Sequence, residues 1–166
     1  MKVLSGMTAA ILGVVACGGS DLTDPQDGLP AVASIVPAAQ ATGVDPAAPI
    51  VIRFTHPMLA GMERFVALHE GETVAGPMVV GTWTWSSDRT ELTFAHPTPL
   101  HPATRYTIHL GGGMRDTENR TLDHGVCAAH GGTNATSGMM GGSGMMGDGW
   151  RDSHGGYGML FSFTTA

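Results

Sequence analysis

From Ala31 onward, apolar and polar residues alternate along short stretches that proline and glycine interrupt. Ile50, Ile52 and Phe54 fall on one side of such a stretch, because successive side chains of a β-strand point to opposite faces. Turn-forming residues, such as those at 86–89, separate the stretches, and no long helical period competes with them. The pattern predicts an all-β fold whose antiparallel strands each bury one face.

The same alternation predicts which side chains fill the core. Several short strands with one apolar face each, separated by turn signals, are typical of a two-sheet sandwich rather than a helical or parallel fold. The last of these strands is predicted at 158–164. The predicted inward residues are Ile52, Phe54, Trp83, Leu92, Tyr106, Ile108, Phe161 and Phe163.

Five segments then carry a resemblance to a known family. They are Ser-Ile-Val-Pro at 34–37, Gly-Val-Asp at 43–45, Ile-Arg-Phe-Thr-His-Pro-Met at 52–58, Leu-His-Pro-Ala-Thr-Arg-Tyr at 100–106 and Phe-Ser-Phe-Thr-Thr at 161–165. With these segments the chain resembles the bacterial Ig-like domain of the S-layer (SbsA) type. The resemblance implies an immunoglobulin-like antiparallel β-sandwich over residues 31–166 and a tyrosine corner at Tyr106. It also implies a non-catalytic structural or binding module.

The N-terminus has the features of an export signal. Lys2 precedes an apolar run at 3–16 that is too short for a permanent transmembrane helix. The run ends in Val-Val-Ala-Cys at 14–17, which resembles the bacterial lipobox, where the cysteine becomes lipidated. We therefore predict a signal peptide at 1–16, lipidation of Cys17, and a flexible tether at 17–30 that is rich in Gly, Ser, Asp and Pro. An ordinary signal cleavage that leaves Cys17 as a thiol or disulfide partner stays open.

This prediction places the protein in the cell envelope, outside the cytoplasm, on the outer membrane or the outer face of the cytoplasmic membrane. The chain has 8 Lys+Arg against 14 Asp+Glu and no basic run. Such a charge balance excludes nucleic acid as a partner, because nothing would neutralise a phosphate backbone. The expected partners are the membrane, through the N-terminal lipid, and an envelope protein or surface ligand.

Residues 123–157 form a long Gly/Met/His-rich insertion before the last predicted strand, where a short connection would suffice. Thioether, thiolate and imidazole groups suit Cu(I), and Cys and His also suit zinc. Copper is therefore the leading candidate, although the fold requires no cofactor. The candidate metal ligands are His124, Cys127, His130, Met139, Met140, Met145, Met146 and His154.

Two other interpretations of the insertion stay open. In one, its Met and His residues are the solvated filler of a variable glycine-rich loop. In the other, Cys127 forms an intermolecular disulfide, because a lipidated Cys17 leaves it without a partner in the chain. The chain also resembles periplasmic copper-resistance sandwich proteins in its early Phe-x-x-Pro and final Phe-x-Phe. The histidine ligands of those proteins do not map onto this sequence.

No motif predicts catalysis. Gly-Ser-Gly-Met-Met-Gly at 142–147 spells a dinucleotide fingerprint but neither follows a strand nor opens a helix. His69-Glu70 lacks the second histidine of a zinc-protease helix. The remaining histidines outside the insertion, His56, His96, His101 and His109, are predicted to be surface residues. The sequence therefore predicts a non-catalytic envelope lipoprotein, with soft-metal binding as the alternative.

Overall fold

The computed structural model describes residues 28–124, 133–134 and 158–166 of the chain. These residues form two antiparallel four-stranded sheets, which confirms the predicted all-β sandwich. A 3-10 helical turn, Met62–Phe65, precedes the third strand, and no helix in the described ranges is long and apolar enough to cross a membrane. The strands are β1 (Val32–Val36), β2 (Ile50–Phe54), β3 (Val66–Glu70), β4 (Thr82–Trp85), β5 (Glu91–Ala95), β6 (Arg105–Leu110), β7 (Thr133–Asn134) and β8 (Met159–Thr164).

The strand order identifies the kind of sandwich. The first sheet runs β1-β2-β5-β4 and the second runs β3-β6-β8-β7. In immunoglobulin constant-type notation these are strands A-B-E-D and C-F-G, with β7 added beside strand G. Because β7 lies between β6 and β8 in the chain, the insertion occupies the F–G connection of the sandwich.

The predicted alternation places the core between the two sheets. In β2, Ile50, Ile52 and Phe54 are buried on one face, opposite Phe94 and Leu92 of β5 in the register of the first sheet. In β8, Phe161 and Phe163 pair with Ile108 and Tyr106 of β6 and bury the same face. Seven of the eight predicted inward residues belong to this core, and the eighth, Trp83, is partly buried against it. Trp83 lies on β4, an edge strand of its sheet, where one side has no neighbouring strand to cover the ring.

The tyrosine corner is present. The backbone N–H of His101 donates a hydrogen bond of 2.8 Å to the Tyr106 hydroxyl, five residues further along the chain. The ring of Tyr106 is buried and stacks on Phe163 at a centroid separation of 5.7 Å. Burial raises the pKa of the phenol, so Tyr106 is neutral at physiological pH and ties the loop before β6 to the core.

A carboxylate closes the turn after β6, in the segment Asp-Thr-Glu-Asn at 116–119, which contains no glycine. Asp116 is fully buried and accepts backbone N–H bonds from Glu118 and Arg120 and a side-chain bond of 2.7 Å from Arg120 Nε. Asn119 adopts a positive φ of 65°. Asparagine tolerates this left-handed conformation better than most residues, so the turn survives without glycine.

Candidate functional site

The predicted metal-ligand set falls largely outside the described residues. His124, half-buried, is the last residue of the described stretch 28–124. The other predicted ligands, and the predicted lipidation site, lie outside the described residues: Cys17, Cys127, His130, Met139, Met140, Met145, Met146 and His154. Within the described ranges, no three His, Cys, Asp or Glu side chains converge as a metal site.

The insertion leaves and rejoins the sandwich at well-packed points. Before it, the backbone N–H of Asp123 donates a 2.7 Å bond to the Pro30 carbonyl. After it, Gly158 has a φ of +92°, and a Cβ at this position would lie 1.9 Å from the Leu110 carbonyl oxygen. Only glycine fits this combination of backbone conformation and close approach.

Inside the insertion, β7 pairs with β8 through Thr133–Leu160 and Asn134–Met159. The period-two alternation that predicts the other strands does not predict β7. A strand of two residues is too short to show a period-two pattern in the sequence. It forms by pairing with the backbone N–H and C=O groups along the edge of β8. The donor-rich segment is therefore attached to the edge of the second sheet.

The second sheet is buried on both faces around its two outward histidines. We call the surface that points away from the core its outer face; Arg105 and Ser162 lie at one end of it and are not buried. The buried part of the outer face carries Ala67, His69, Thr107, His109 and Leu160. The most exposed of them, Leu160, is only 6% accessible. Antiparallel sandwiches commonly leave such a face in water. Here it buries two histidines, a residue type that is costly to bury without partners.

His69 and His109 are close neighbours on this outer face. In the β3–β6 register, His69 is paired with Thr107, and His109 is paired with Ala67. They are therefore diagonal neighbours, for which Cα separations are roughly 7–8 Å, within reach of aromatic side chains. Burial lowers the pKa of His69, and burial followed by repulsion from His69 lowers the pKa of His109 to about 4. Both rings are consequently neutral at physiological pH.

The surface prediction for the histidines holds for only part of the set. His101 is exposed and forms a 3.0 Å contact with a Glu70 carboxylate oxygen, and His96 is half-buried. His56 and His109, in contrast, are 4% and 0% accessible, so the prediction is wrong for them. The sequence places His109 correctly on the outward side of β6, but outward residues are exposed only if nothing packs on that face.

The sequence around His69 resembles only an incomplete protease motif and does not predict that His69 is a neighbour of His109. Both residues follow a buried aliphatic residue, Leu68 or Ile108, and so occupy outward positions. That signal was present in the sequence. Their proximity depends on the β3–β6 register, which no local pattern specifies.

A shallow groove lies at the end of the sandwich near the tyrosine corner. It has a volume of about 230 Å³, and its lining includes Glu70, Val80, Leu100, His101 and Tyr106. The Glu70–His101 contact forms part of its wall, and both side chains are substantially exposed. An exposed pair of this kind contributes little binding energy, so the groove is a weaker candidate than the buried histidines.

Comparison with known proteins assigns the fold to a family. The sequence profile described as bacterial Ig-like domain matches residues 26–127, more than half of the chain. No curated protein sequence matches the chain significantly.

Several solved structures are similar at low identity. The S-layer protein SbsC is 16% identical over 58% of this chain, with a TM-score of 0.42, and this chain spans only 12% of the S-layer chain. PcoC, a methionine-rich copper resistance protein from Escherichia coli, is 13% identical over 84% of this chain and 100% of its own, with a TM-score of 0.49. CopC from Methylosinus trichosporium OB3b is 12% identical over 82% of this chain and 92% of its own, with a TM-score of 0.47. Such identities transfer no property of those proteins to this chain.

Proposed function

Because the chain belongs to the bacterial Ig-like domain family, we propose that it is a lipid-anchored module of the bacterial cell envelope with a structural or binding role. The observation that carries the proposal is the sandwich itself, with its constant-type strand order and tyrosine corner. Domains of this family are generally non-catalytic, and no recognisable motif in the sequence combines a nucleophile, a base and an orienting group. A rigid sandwich on a tether suits presentation of its end loops.

The F–G connection is the proposed binding element. In variable immunoglobulin domains the corresponding loop is one of those that contact antigen, because it extends from the end of a rigid framework. Here the connection runs from Gly111 to Gly158 and is much longer than two neighbouring strands require. Its length and its attachment to β8 support a binding role at this edge of the sandwich.

The anchor is tested by replacing the cysteine that would carry it. The proposal rests on the apolar run that ends at Cys17. In a bacterial host, the full chain should partition into the detergent phase with membranes, and Cys17→Ala should shift it to the soluble or unprocessed fraction. Cys127→Ala is the matched control and should remain membrane-bound. Equal solubility of the parent and Cys17→Ala after normal cleavage would contradict lipid anchoring.

Soft-metal binding by the insertion is the second proposal. Its support is the set of thiol, imidazole and thioether donors within one glycine-spaced segment, which is attached to the second sheet through β7. Thiolate and imidazole ligands must lose their protons to coordinate, whereas thioethers have none to lose. Cu(I) bound by Cys127, His124 and His130 should therefore weaken as the pH falls, and Cu(I) bound by the methionine pairs should not.

The corresponding experiment is an anaerobic Cu(I) titration of the full chain against a chromogenic chelator. A variant in which Cys127 becomes Ser and both His124 and His130 become Asn should lose the pH-dependent component. A second variant, with Leu at the four paired methionines, should lose the pH-independent component. If neither variant differs from the parent, the insertion does not bind Cu(I), and the structural or binding role remains without it.

A further inference from the structure

The His69 side chain has a buried, unprotonated nitrogen that accepts no hydrogen bond within residues 28–124, 133–134 and 158–166. Its Nδ1 lies 3.0 Å from the Gly76 carbonyl oxygen, which can only accept a hydrogen bond, so Nδ1 carries the ring hydrogen. Because burial lowers its pKa, the ring is neutral and Nε2 holds a free lone pair. Nε2 is buried and has no hydrogen-bond partner among the residues that the structure describes, and the whole residue is only 2% accessible.

This arrangement is typical of a metal ligand. Buried polar atoms normally have a hydrogen-bond partner, because leaving one unpaired costs about 1–3 kcal/mol. Metal-binding histidines usually donate their second ring N–H to a carbonyl or carboxylate, which fixes the tautomer and orients the ring. The Gly76 carbonyl has this relation to His69.

His109 supplies a second imidazole beside the first. Its side chain is completely buried, and its diagonal position on β6 places it next to His69 on the outer face. The lowering of its pKa to about 4 keeps this ring in the neutral form that coordinates metals. The rings of His69 and His109 would repel each other if both were protonated. Both are neutral here, so they can lie side by side.

The surroundings favour a soft monovalent ion. The buried outer-face residues beside the two histidines, Ala67, Thr107 and Leu160, carry no charge, and Arg105 at the exposed end of the face is itself a cation, so none of these residues would balance a divalent ion. Met78 lies opposite His69 in an isolated antiparallel bridge, so both side chains leave the backbone on the same face. Met78 is 64% exposed, and its side chain would have to turn toward the His69 ring to bring the thioether to a shared ion. Imidazole and thioether suit Cu(I), which accepts two or three ligands, whereas zinc sites are almost always four-coordinate.

We infer that His69 and His109 form a Cu(I)-binding site on the outer face of the second sheet, with Met78 positioned to supply a thioether as a third ligand. The site uses none of the insertion's donors. It therefore goes beyond the second proposal above and stands or falls separately from it.

The test begins by removing the other donors. In the full chain, an insertion-donor variant replaces every predicted ligand of the insertion by a non-coordinating residue: His124, Cys127, His130, Met139, Met140, Met145, Met146 and His154. Anaerobic Cu(I) titration of this variant against a chromogenic chelator should still show one equivalent bound. If this variant binds no Cu(I), the outer-face site is overturned, whether or not the insertion proposal succeeds.

Two further substitutions then locate the ion. His69→Asn preserves a side-chain N–H near the Gly76 carbonyl but removes the Nε2 lone pair, and in the insertion-donor variant it should weaken Cu(I) binding at least tenfold. His109→Gln should have the same effect. The matched control, His101→Gln, removes an exposed histidine of the same domain and should leave the affinity unchanged. Unchanged binding in His69→Asn would overturn the assignment, as would Zn(II) binding as tight as Cu(I) binding.

A second measurement observes the ligand nitrogen of His69 directly, while His69 and His109 are still present. With histidine rings labelled with nitrogen-15, Cu(I) should shift the Nε2 resonance of His69 in the insertion-donor variant and leave that of His101 in place. It should also raise the melting temperature of this variant but not of its His69→Asn derivative. A His69 resonance that does not respond to Cu(I) would overturn the proposal.

Discussion

At the scale of single residues, the loop before β6 depends on one phenol. The Tyr106 hydroxyl accepts the His101 backbone N–H at 2.8 Å, while its ring fills the core beside Phe163. Tyr106→Phe keeps the ring and removes the acceptor. We expect a loss of about 1–2 kcal/mol in the free energy of unfolding, because a backbone donor loses its partner. Chemical denaturation measures the loss, and His101→Gln, which keeps the backbone N–H, should not reproduce it.

The buried histidines make stability depend on pH. An unfolded histidine has a pKa near 6.5, whereas burial and repulsion from His69 lower the pKa of folded His109 to about 4. Between pH 6.5 and pH 4, His109 binds a proton in the unfolded chain but stays neutral in the folded chain. Stability is thus complete above about pH 6.5 and falls as the pH decreases toward 4, by up to about 3 kcal/mol from His109.

Thermal unfolding of the metal-free chain across this pH range measures the effect, and the variants separate its sources. His109→Gln should flatten the decline between pH 6.5 and 4, because the titrating ring is gone. His101→Gln should leave the slope unchanged, because that side chain is 73% exposed. A smaller slope should remain from His69, whose pKa burial also lowers. A slope that His109→Gln leaves unchanged would assign the pH dependence to other groups.

At the scale of the elements, β8 joins the core to the insertion. Its inward residues pack in the sandwich core, and its outward Leu160 pairs with Thr133 of β7. Phe161 is 2% accessible and opposite Ile108 of β6. Phe161→Ala should lower the free energy of unfolding by about 3–5 kcal/mol, because it removes buried surface and leaves a cavity.

Ser162→Ala is the matched substitution on the other face of the same strand. Ser162 accepts a bond from the exposed side chain of Arg105, so its loss should change stability by no more than about 0.5 kcal/mol. Urea denaturation of the two variants compares the faces directly. Equal losses would contradict the described orientation of β8.

At the scale of the whole molecule, the sandwich and the insertion are separable in their contribution to the core. The hydrophobic core cluster of the described residues is built from segments before residue 123 and from β8. A chain in which a short Gly-Ser turn replaces residues 125–157, with Gly158 retained, should therefore unfold cooperatively with the far-ultraviolet dichroism of a β-sandwich. It should be less stable than the parent, because β8 loses its pairing with β7. A molten chain without a cooperative transition would show that the insertion is part of the folding unit.

The sequence by itself determined the fold class, the inward rows of β2, β6 and β8, and the tyrosine corner. These features arise from period-two alternation and from neighbouring residues in one segment, which a single strand or turn records locally. Asp116 and Asn119 likewise preserve a turn that their residue types favour.

Only the tertiary structure decided which outward residues are buried and which of them meet. His69 and His109 are forty residues apart in the numbering and become neighbours through the β3–β6 register. Their burial, and the unpaired Nε2 of His69, depend on packing over the outer face of the second sheet. Register is a property of two paired strands, and burial of a face is a property of what packs on it. The alternation within a single strand is the same whether its outward face is exposed to solvent or buried.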